Sequence, residues 1–181
     1  MKAIPTKTSL LLFDTIFEKS NLKEGYHVAD LGCGKSLSFL YSLANIVGKD
    51  GKIYGVDILP DVMESLERDV AHHRLNNITP LRGDIEAGLR LENESIQAVF
   101  LINTLNQASS TIAMLKEAYR LLKPDGRLII VDWLPNPSPF GPLLSQRLSN
   151  EEIVDSLSFI NLKIIEQFKP GLYHYGIVAG K

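Results

Sequence analysis

The chain has 181 residues, of which 45% are hydrophobic and 22% are charged, with a formal net charge of −2 at pH 7. This composition excludes a disordered or low-complexity chain, and no basic run offers a binding stripe for nucleic acid. A single cysteine, Cys33, excludes internal disulfides and cysteine-rich metal sites. The apolar runs are far shorter than the roughly 20 residues of a membrane span. We therefore expect one cytoplasmic domain over residues 1–181, with no signal peptide, membrane anchor or metal site.

The first part of the chain alternates short apolar runs with segments of helical periodicity. An amphipathic helix is predicted over 10–19, within an N-terminal segment 1–21. The later elements are taken from apolar spacing and from the glycines and acids that bound them. Strands are predicted at 26–31, 52–57, 78–82 and 98–102, and helices at 36–47, 61–74 and 111–122. This alternation is typical of a parallel sheet with helices on both faces.

Turn chemistry organises the rest of the chain. Residues 123–126, Lys-Pro-Asp-Gly, predict a turn that delivers a fifth strand over 127–132. Residues 134–148 contain four prolines and are interpreted as a structured lid loop. The final strands, at 162–168 and 172–179, are joined by a Pro-Gly turn too short for a parallel crossover. They must therefore run antiparallel.

A capping box marks the helix between the lid loop and the last strands. Ser149 and Glu152 have the S-x-x-E spacing in which the two side chains cap each other's backbone amides. The predicted helix runs from there to about Phe159.

A glycine loop follows the first predicted strand and reads Asp30-Leu31-Gly32-Cys33-Gly34-Lys35-Ser36. Glycines between a strand and a helix start let a ligand approach backbone N–H groups at the positive end of the helix. The third glycine of the dinucleotide fingerprint is missing, because Leu37 stands in its place. A carboxylate at Asp30 repels a pyrophosphate but suits an ammonium group, which argues against NAD.

This loop resembles the first motif of class I S-adenosylmethionine-dependent methyltransferases, commonly D-L-G-C-G-T-G, at five of seven positions. The resemblance implies a Rossmann-like seven-stranded sheet, mostly parallel with an antiparallel C-terminal strand. It implies S-adenosylmethionine as cofactor, with its aminoacyl part at the loop residues Gly32, Cys33, Gly34, Lys35 and Ser36. Lys35 and Ser36 depart from the family's small pair and make the loop bulkier.

Polar residues end the next three predicted strands. Asp57, followed by Ile58, is placed to accept hydrogen bonds from both ribose hydroxyls, and the alternative is a cap on the next helix. After the third strand, the resemblance assigns an acid to the adenine amino group and its neighbour to the ring. That assignment falls on Gly83, Asp84 and Ile85, with a turn acid as the alternative for Asp84.

Asn103 follows the fourth strand and is expected near the transferred methyl group, the alternative being a turn or capping residue. The last strand begins with Tyr173 and His174, which are candidate catalytic groups near the acceptor or, alternatively, aromatics on the sheet surface. Similar endings occur in small methyltransferases that resemble the UbiE (ubiquinone and menaquinone biosynthesis) group. Arg147 is a candidate for binding an anionic group, against the alternative of a surface arginine.

Two other sequence patterns suggest functions that their surroundings in the sequence disfavour. Tyr119 and Lys123 have the Y-x-x-x-K spacing of short-chain dehydrogenases, but Lys123 precedes a proline, where helical geometry is disfavoured. His72 and His73 are adjacent and cannot both face one ligand, so they are expected at a solvated helix end.

The sequence therefore predicts methyl transfer from S-adenosylmethionine to a small, partly apolar acceptor. The alternatives are a methyltransferase acting on RNA or protein, which the acidic pI of about 6.1 disfavours for RNA, or a non-catalytic cofactor-binding subunit. No membrane partner is expected. The oligomeric state is left open, with a homodimer among the alternatives.

Overall fold

The computed structural model describes residues 10–181, so residues 1–9 of the expected N-terminal segment lie outside the described part. The helices are α1 Phe13–Ser20, α2 Leu37–Val47, α3 Pro60–His73, α4 Thr111–Leu121 and α5 Asn150–Phe159. The strands are β1 His27–Leu31, β2 Lys52–Asp57, β3 Ile78–Arg82, β4 Ile96–Ile102, β5 Leu122–Trp133, β6 Lys163–Phe168 and β7 His174–Gly180. Short 3₁₀ helices cover Leu105–Gln107 and Leu144–Gln146.

All seven strands form one sheet in the order β3-β2-β1-β4-β5-β7-β6. The pairings among β1 to β5 are parallel, and β7 runs antiparallel to both β5 and β6. The predicted seven-stranded, mostly parallel sheet with an antiparallel C-terminal strand is confirmed. Strand order reverses between β1 and β4, which places a ligand-binding crevice at the carboxyl ends of these strands.

The central strands β1, β4, β5 and β7 are buried on both faces of the sheet, whereas the edge strands β3 and β6 are largely accessible. On one face, α1, α2 and α3 cover strand residues such as Val28, Phe100 and Ile129. On the other face, α4 and α5 cover residues such as Leu101 and Ile130. Adjacent residues of one strand thus enter opposite cores, as the period of two requires. This double burial explains why the strand sequences are continuous apolar runs.

The predicted capping box at α5 is confirmed. The Ser149 hydroxyl accepts from the Glu152 amide at 3.2 Å, and the Glu152 carboxylate accepts from the Ser149 amide at 2.7 Å. The first helix begins later than predicted, at Phe13, because the Leu12 amide donates to the Pro170 carbonyl at 2.6 Å. That bond holds the chain before α1 against the β6–β7 turn.

The predicted turn at 123–126 was wrong as a boundary, since β5 already begins at Leu122. Leu122 pairs with Ile96 and Arg127 pairs with Ala98, so five steps on β5 match two steps on β4. The Lys-Pro-Asp-Gly residues form a bulge inside the strand rather than a turn before it. A bulge accommodates a proline within a ladder because the extra residues need no partner.

Candidate functional site

The glycine loop is fixed by contacts that leave no room for a side chain at its first glycine. Gly32 has φ +82°, and a Cβ there would lie 2.5 Å from the Thr104 methyl carbon. The Thr104 hydroxyl donates to the Leu31 carbonyl at 3.0 Å. The amides of Gly32 and Cys33 both donate to the Val56 carbonyl, at 2.8 and 2.9 Å. The loop is thereby tied to the ends of β2 and β4.

Asp57 joins the loop to the start of α3. Its side chain is largely buried, with one oxygen accepting from the Leu59 amide at 3.0 Å and the other from the Gly34 amide at 3.1 Å. The contact to Leu59 is the capping alternative raised for this residue. Since a carboxylate can accept about four hydrogen bonds, each oxygen keeps capacity for a ligand hydroxyl.

A cleft of about 590 Å³ opens along the carboxyl ends of β1 to β4. Eight of the residues predicted to bind cofactor line it: Gly32, Gly34, Lys35, Asp57, Ile58, Gly83, Asp84 and Ile85. Asp84 is exposed and accepts from the Glu86 amide at 2.9 Å, as in a turn, while Ile85 is buried in the wall. The glycine loop after β1, Asp57 at the end of β2 and Asp84 after β3 therefore line the same cleft.

A smaller cavity of about 160 Å³ has Gly32 in its lining, as the cleft does. Asp30, Cys33 and Ser36 line this cavity together with apolar side chains of Leu11, Phe13, Phe39 and Ile102. Burial, followed by the charge of Asp57, raises the pKa of Asp30 to about 7. Burial also raises the pKa of the Cys33 thiol, which matches a packing role rather than a nucleophilic one.

Asn103 lines neither the cleft nor the Asp30 cavity. It has φ +55°, donates its amide to the Val131 carbonyl at 2.8 Å, and its side-chain oxygen is buried with no hydrogen-bond partner in the described residues. A strained backbone and an unpaired buried acceptor are typical of functional positions. Its expected place near the methyl group stays a prediction.

Lys35, which departs from the resembled motif, lies at the rim of the cleft. Its ammonium forms an ion pair with Asp61 in the first turn of α3 at 2.7 Å, and both side chains are more than 60% exposed. The hydrogen bond from Lys35 lowers the pKa of Asp61. Because its ammonium is held at Asp61, the bulkier Lys35 side chain does not fill the space beside the loop glycines.

Two acids near the site were missed by sequence reasoning. Glu86 lines the cleft and accepts from the amides of Ser109 and Ser110, both at 2.8 Å, which holds the segment after β3 against the start of α4. Asp132 at the end of β5 is fully buried and accepts from the Asn106 side chain at 2.9 Å and the Trp133 amide at 2.7 Å. Burial raises the pKa of Asp132. Apart from the adjacent Trp133 amide, the partners named here lie 23 to 26 residues away in sequence, so no local pattern marks either acid.

Arg147 organises the lid loop, and the structure corrects both interpretations made for it. Its side chain is buried, and its guanidinium donates six hydrogen bonds of 2.7 to 3.2 Å within the loop. The acceptors are the Ser138 hydroxyl and four backbone carbonyls, those of Leu134, Asn136, Phe140 and Pro142. Arg147 is therefore neither a surface residue nor free to bind an anion.

Tyr173 and His174, the predicted catalytic pair, lie on the lid side of the sheet and do not line the cofactor cleft. The Tyr173 ring contacts Phe140 of the lid loop edge-on, with centroids 5.7 Å apart. His174 is 1% exposed, and its ring lies 4.1 Å from that of Trp133. Burial, with a smaller effect from Arg147, lowers the pKa of His174 to about 4, against an opposing effect of the Leu10 backbone. The catalytic roles of both residues stay predictions.

The patterns set aside in the sequence have structural explanations. Tyr119 packs under the Lys181 ammonium at 4.5 Å, and Lys123 lies in the β5 bulge. His72 and His73 end α3 and are exposed. Over residues 10–181, no group of three metal-binding side chains is found, and no helix is long and apolar enough to cross a membrane.

Comparison with known proteins agrees with this architecture. Demethylmenaquinone methyltransferase of Lactococcus lactis is 30% identical over 108 residues, which are 60% of this chain and 42% of that protein. Arsenite methyltransferase of Aquipseudomonas alcaligenes is 32% identical over 117 residues, 61% of this chain and 34% of that protein. The chain thus spans less than half the length of these curated relatives.

Solved structures extend the likeness to nearly the whole chain. The crystal structure of a SAM-dependent methyltransferase from Aquifex aeolicus has a TM-score of 0.89 at 26% identity, covering 97% of this chain and 93% of that one. Geranyl diphosphate C-methyltransferase of Streptomyces coelicolor, at 13% identity and a TM-score of 0.77, shares the fold over 93% of this chain and 78% of that one. The family described as "Methyltransferase domain" matches residues 22–167. Since that match covers more than half of the sequence, this chain belongs to the methyltransferase domain family.

Proposed function

We propose that this chain transfers the methyl group of S-adenosylmethionine to a small-molecule acceptor. The observation that carries the proposal is the pair of cavities, the cleft and the Asp30 cavity, that have Gly32 in both of their linings. One has the size and strand-end acids suited to a nucleoside, and the other ends at a buried carboxylate. The name of the Aquifex aeolicus structure, a SAM-dependent methyltransferase, supports the same cofactor.

The residues present fit this cofactor. Asp57 keeps hydrogen-bonding capacity for the ribose, Asp84 and Ile85 are available to the adenine, and Gly34, with open space where a side chain would lie, leaves room for the aminoacyl part. Asp30 is buried and forms no ion pair among the described residues. A buried carboxylate without a cation is unfavourable, and an ammonium group would relieve it.

The chemistry of the cofactor determines what the protein itself must contribute to methyl transfer. The cofactor, when bound, supplies a methyl carbon already activated by a sulfonium. The protein must therefore position the acceptor in line and exclude water rather than provide strong acid–base catalysis. Phe13, Phe39 and Ile102 supply apolar walls beside the glycine loop. Asn103, with its unpaired buried oxygen, is proposed to orient a group near the reacting carbon.

The acceptor is proposed to lie between the lid loop, Asn103 and Tyr173. A cavity of about 290 Å³ at the lid loop is lined by Leu134, Pro137, Leu172 and Tyr173, among others, although Asn103 is not in its lining. Such walls suit a compact, partly apolar molecule, whereas a polymer needs an open groove with basic groups. The curated relatives named for demethylmenaquinone and arsenite support a small acceptor.

We further propose that residues 1–181 act as a single cytoplasmic domain.

Cofactor binding and methyl transfer test the proposal separately. In calorimetry, S-adenosylmethionine is expected to bind at micromolar strength and NAD is expected not to bind. Tritiated methyl from the cofactor is then followed in a fractionated cell extract and is expected in small metabolites. Label in protein or RNA alone would contradict the acceptor class, and binding without any transfer would indicate a non-catalytic subunit.

One substitution tests the acceptor's location. Tyr173→Phe is expected to lower methyl transfer while cofactor affinity stays within about twofold, because the cofactor groups lie on β1 to β3. Tyr41→Phe, on the exposed face of α2, is the matched control. Equal rates for both variants and the wild type would return Tyr173 to a packing role.

A further inference from the structure

The connection between β4 and α4, residues 103–110, forms part of the cofactor cleft, and we call it the β4–α4 segment. Thr104, Gln107 and Ser109 lie in the lining of the cleft, and Thr104 also packs against the glycine loop at Gly32. The regular structure of the segment is one 3₁₀ turn at residues 105–107. A connection with so little regular structure depends on its surroundings for a fixed position.

A buried carboxylate on β5 holds the middle of this segment. Asp132 is fully buried, and its two oxygens accept from the Asn106 side chain at 2.9 Å and from the Asn106 backbone amide at 3.3 Å. The Trp133 amide donates to the same carboxylate at 2.7 Å, which fixes its orientation. Among the described residues that line the cleft, neither Asp132 nor Asn106 appears. An effect of this pair on a ligand in the cleft is therefore transmitted by the β4–α4 segment.

A second acid, which follows β3, holds the end of the segment. The two carboxylate oxygens of Glu86 accept from the backbone amides of Ser109 and Ser110, both at 2.8 Å. Ser110 is the N-cap of α4, and its hydroxyl accepts from the Ala113 amide at 3.2 Å. In the sheet, β2 and β1 lie between β3 and β4. Glu86 therefore joins two parts of the cleft lining that strand pairing leaves apart.

The two acids act on one segment from two different elements. Neither acid forms an ion pair within residues 10–181, and hydrogen bonds from a carboxylate to backbone amides are among the stronger ones in proteins. We propose that Asp132 and Glu86 are positioning residues for cofactor binding, which clamp the β4–α4 segment in the conformation that completes the cleft. This inference rests on the proposed function. If a clamp is lost, ligand affinity falls with the fraction of molecules that still present the complete cleft.

Cofactor affinity tests this role at a temperature where all variants are folded by circular dichroism. Asn106→Ala removes the side-chain donor to Asp132, and Glu86→Ala removes both acceptors at the other end of the segment. Each is expected to weaken S-adenosylmethionine binding by about fivefold or more in calorimetry. A loss in only one of the two variants, or in neither, would contradict a shared clamp and overturn the proposal.

The chain offers a matched control for these variants. Glu152 accepts from the Ser149 amide at the start of α5, as Glu86 accepts from amides at the start of α4, but it lies outside the cleft lining. Glu152→Ala should therefore keep S-adenosylmethionine affinity within about twofold, because its site is independent of the cleft. A loss as large as in Glu86→Ala would show that any weakened helix start lowers affinity, and would contradict a specific clamp.

Amide hydrogen exchange, followed by NMR, tests the clamp without any ligand. If the segment is held as a unit, loss of the clamp at one end also opens the other end. The Asn106 amide should therefore exchange about threefold or more faster in Glu86→Ala, and the Ser109 amide likewise in Asn106→Ala. The amides of α5 should exchange at the wild-type rate. Faster exchange confined to the substituted end of the segment would overturn the proposal.

The two kinds of measurement separate the clamp from the proposed function. Failure of S-adenosylmethionine to bind the wild type would contradict the proposed function, and the exchange rates would still decide whether the two acids hold the segment as a unit. Binding to the wild type with unchanged affinity in both variants would instead support the cofactor and overturn the positioning role.

Discussion

The two ends of the sheet are built by different rules. In the cofactor half, which comprises β1 to β3 with α2 and α3, the key contacts run between strand ends and the first amides that follow them. Asp57 reaches an amide two residues later and another in the preceding loop. In the lid half, which comprises β5 to β7 with residues 134–148, Arg147 reaches carbonyls up to 13 residues away. Bonds between strand ends and loops, as much as 23 residues apart for Asp57 and Gly34, organise the first half, whereas one buried cation holds the lid loop of the second half together.

The two halves therefore differ in which amino-acid substitutions they tolerate. Parallel strand ends and tight loops present backbone amides to a ligand in any sequence that supplies the glycines and acids. A proline-rich loop has few internal backbone hydrogen bonds, so its carbonyls need another donor if they are buried. Arg147 supplies five donor groups in a fixed plane, and Trp133 packs against that guanidinium at 5.5 Å. The lid is therefore more sensitive to one residue than the cleft is.

Removal of the Arg147 guanidinium should have the largest effect on stability. Arg147→Met keeps the apolar stem but removes the guanidinium donor from four carbonyls and the Ser138 hydroxyl, and of these carbonyls Phe140 keeps the Ser138 hydroxyl as donor. We expect a loss of about 3–5 kcal/mol in the free energy of unfolding by urea, with cofactor affinity within about twofold. Arg147→Lys should regain less than half, because one ammonium cannot reach all the acceptors. A loss below about 1 kcal/mol for Arg147→Met would show that the lid is held by its prolines.

Paired glycine substitutions measure how tightly the cofactor half is built. Gly32→Ala should destabilise the fold by about 2–4 kcal/mol, because it combines a positive φ with a Cβ 2.5 Å from Thr104. Gly34→Ala, at φ +61° with no atom within 4 Å, should lose only about 1 kcal/mol. Thermal unfolding with circular dichroism compares them. Equal losses would mean that backbone strain, not crowding by Thr104, sets the requirement for glycine.

Asp57 tests whether the strand-end acid serves the ligand as well as the loop. Asp57→Ala is expected to weaken S-adenosylmethionine binding by about 1.5–3 kcal/mol, the value for lost charged hydrogen bonds. Asp61→Ala, four residues later and in an exposed ion pair with Lys35 at the rim, is the control and should change affinity by less than about twofold. Calorimetry measures both. An unchanged affinity in folded Asp57→Ala would leave this acid with its capping role alone.

The same contrast explains what the sequence could predict. The bounds of β2 and β3 agree with the prediction, because apolar runs that end in an acid are a local signal. Asp57 and Asp84, predicted from that same signal, both line the cleft, and the capping box at Ser149 is local too. The role of Arg147 was not predictable, since its acceptors are backbone atoms of a loop that has no periodicity. The start of α1 at Phe13 depends on a bond to Pro170, a contact between the two ends of the chain.

Buried charge near the cleft gives the last prediction, which concerns pH. The pKa of Asp30 in the folded protein is raised to about 7 by burial and by Asp57, whereas in the unfolded chain it is about 3.9. Between these values Asp30 binds more protons in the folded state than in the unfolded state, so its contribution to the free energy of unfolding falls as pH rises from about 4 through 7. Asp30→Asn removes this contribution and should stabilise the protein by about 1–2 kcal/mol at pH 8, with little change at pH 4.

Asp132 is also buried with a raised pKa, so the wild-type slope contains its contribution and only the difference between wild type and Asp30→Asn isolates Asp30. Ligand binding should show the opposite trend. If the ammonium of the cofactor pairs with the Asp30 carboxylate, affinity must rise with pH through about 7, because protonated Asp30 offers no charge. Asp30→Asn should then bind more weakly at pH 8 and lose that pH dependence, although it is the more stable protein. A variant that gains stability and keeps full affinity at pH 8 would place the ammonium elsewhere in the site.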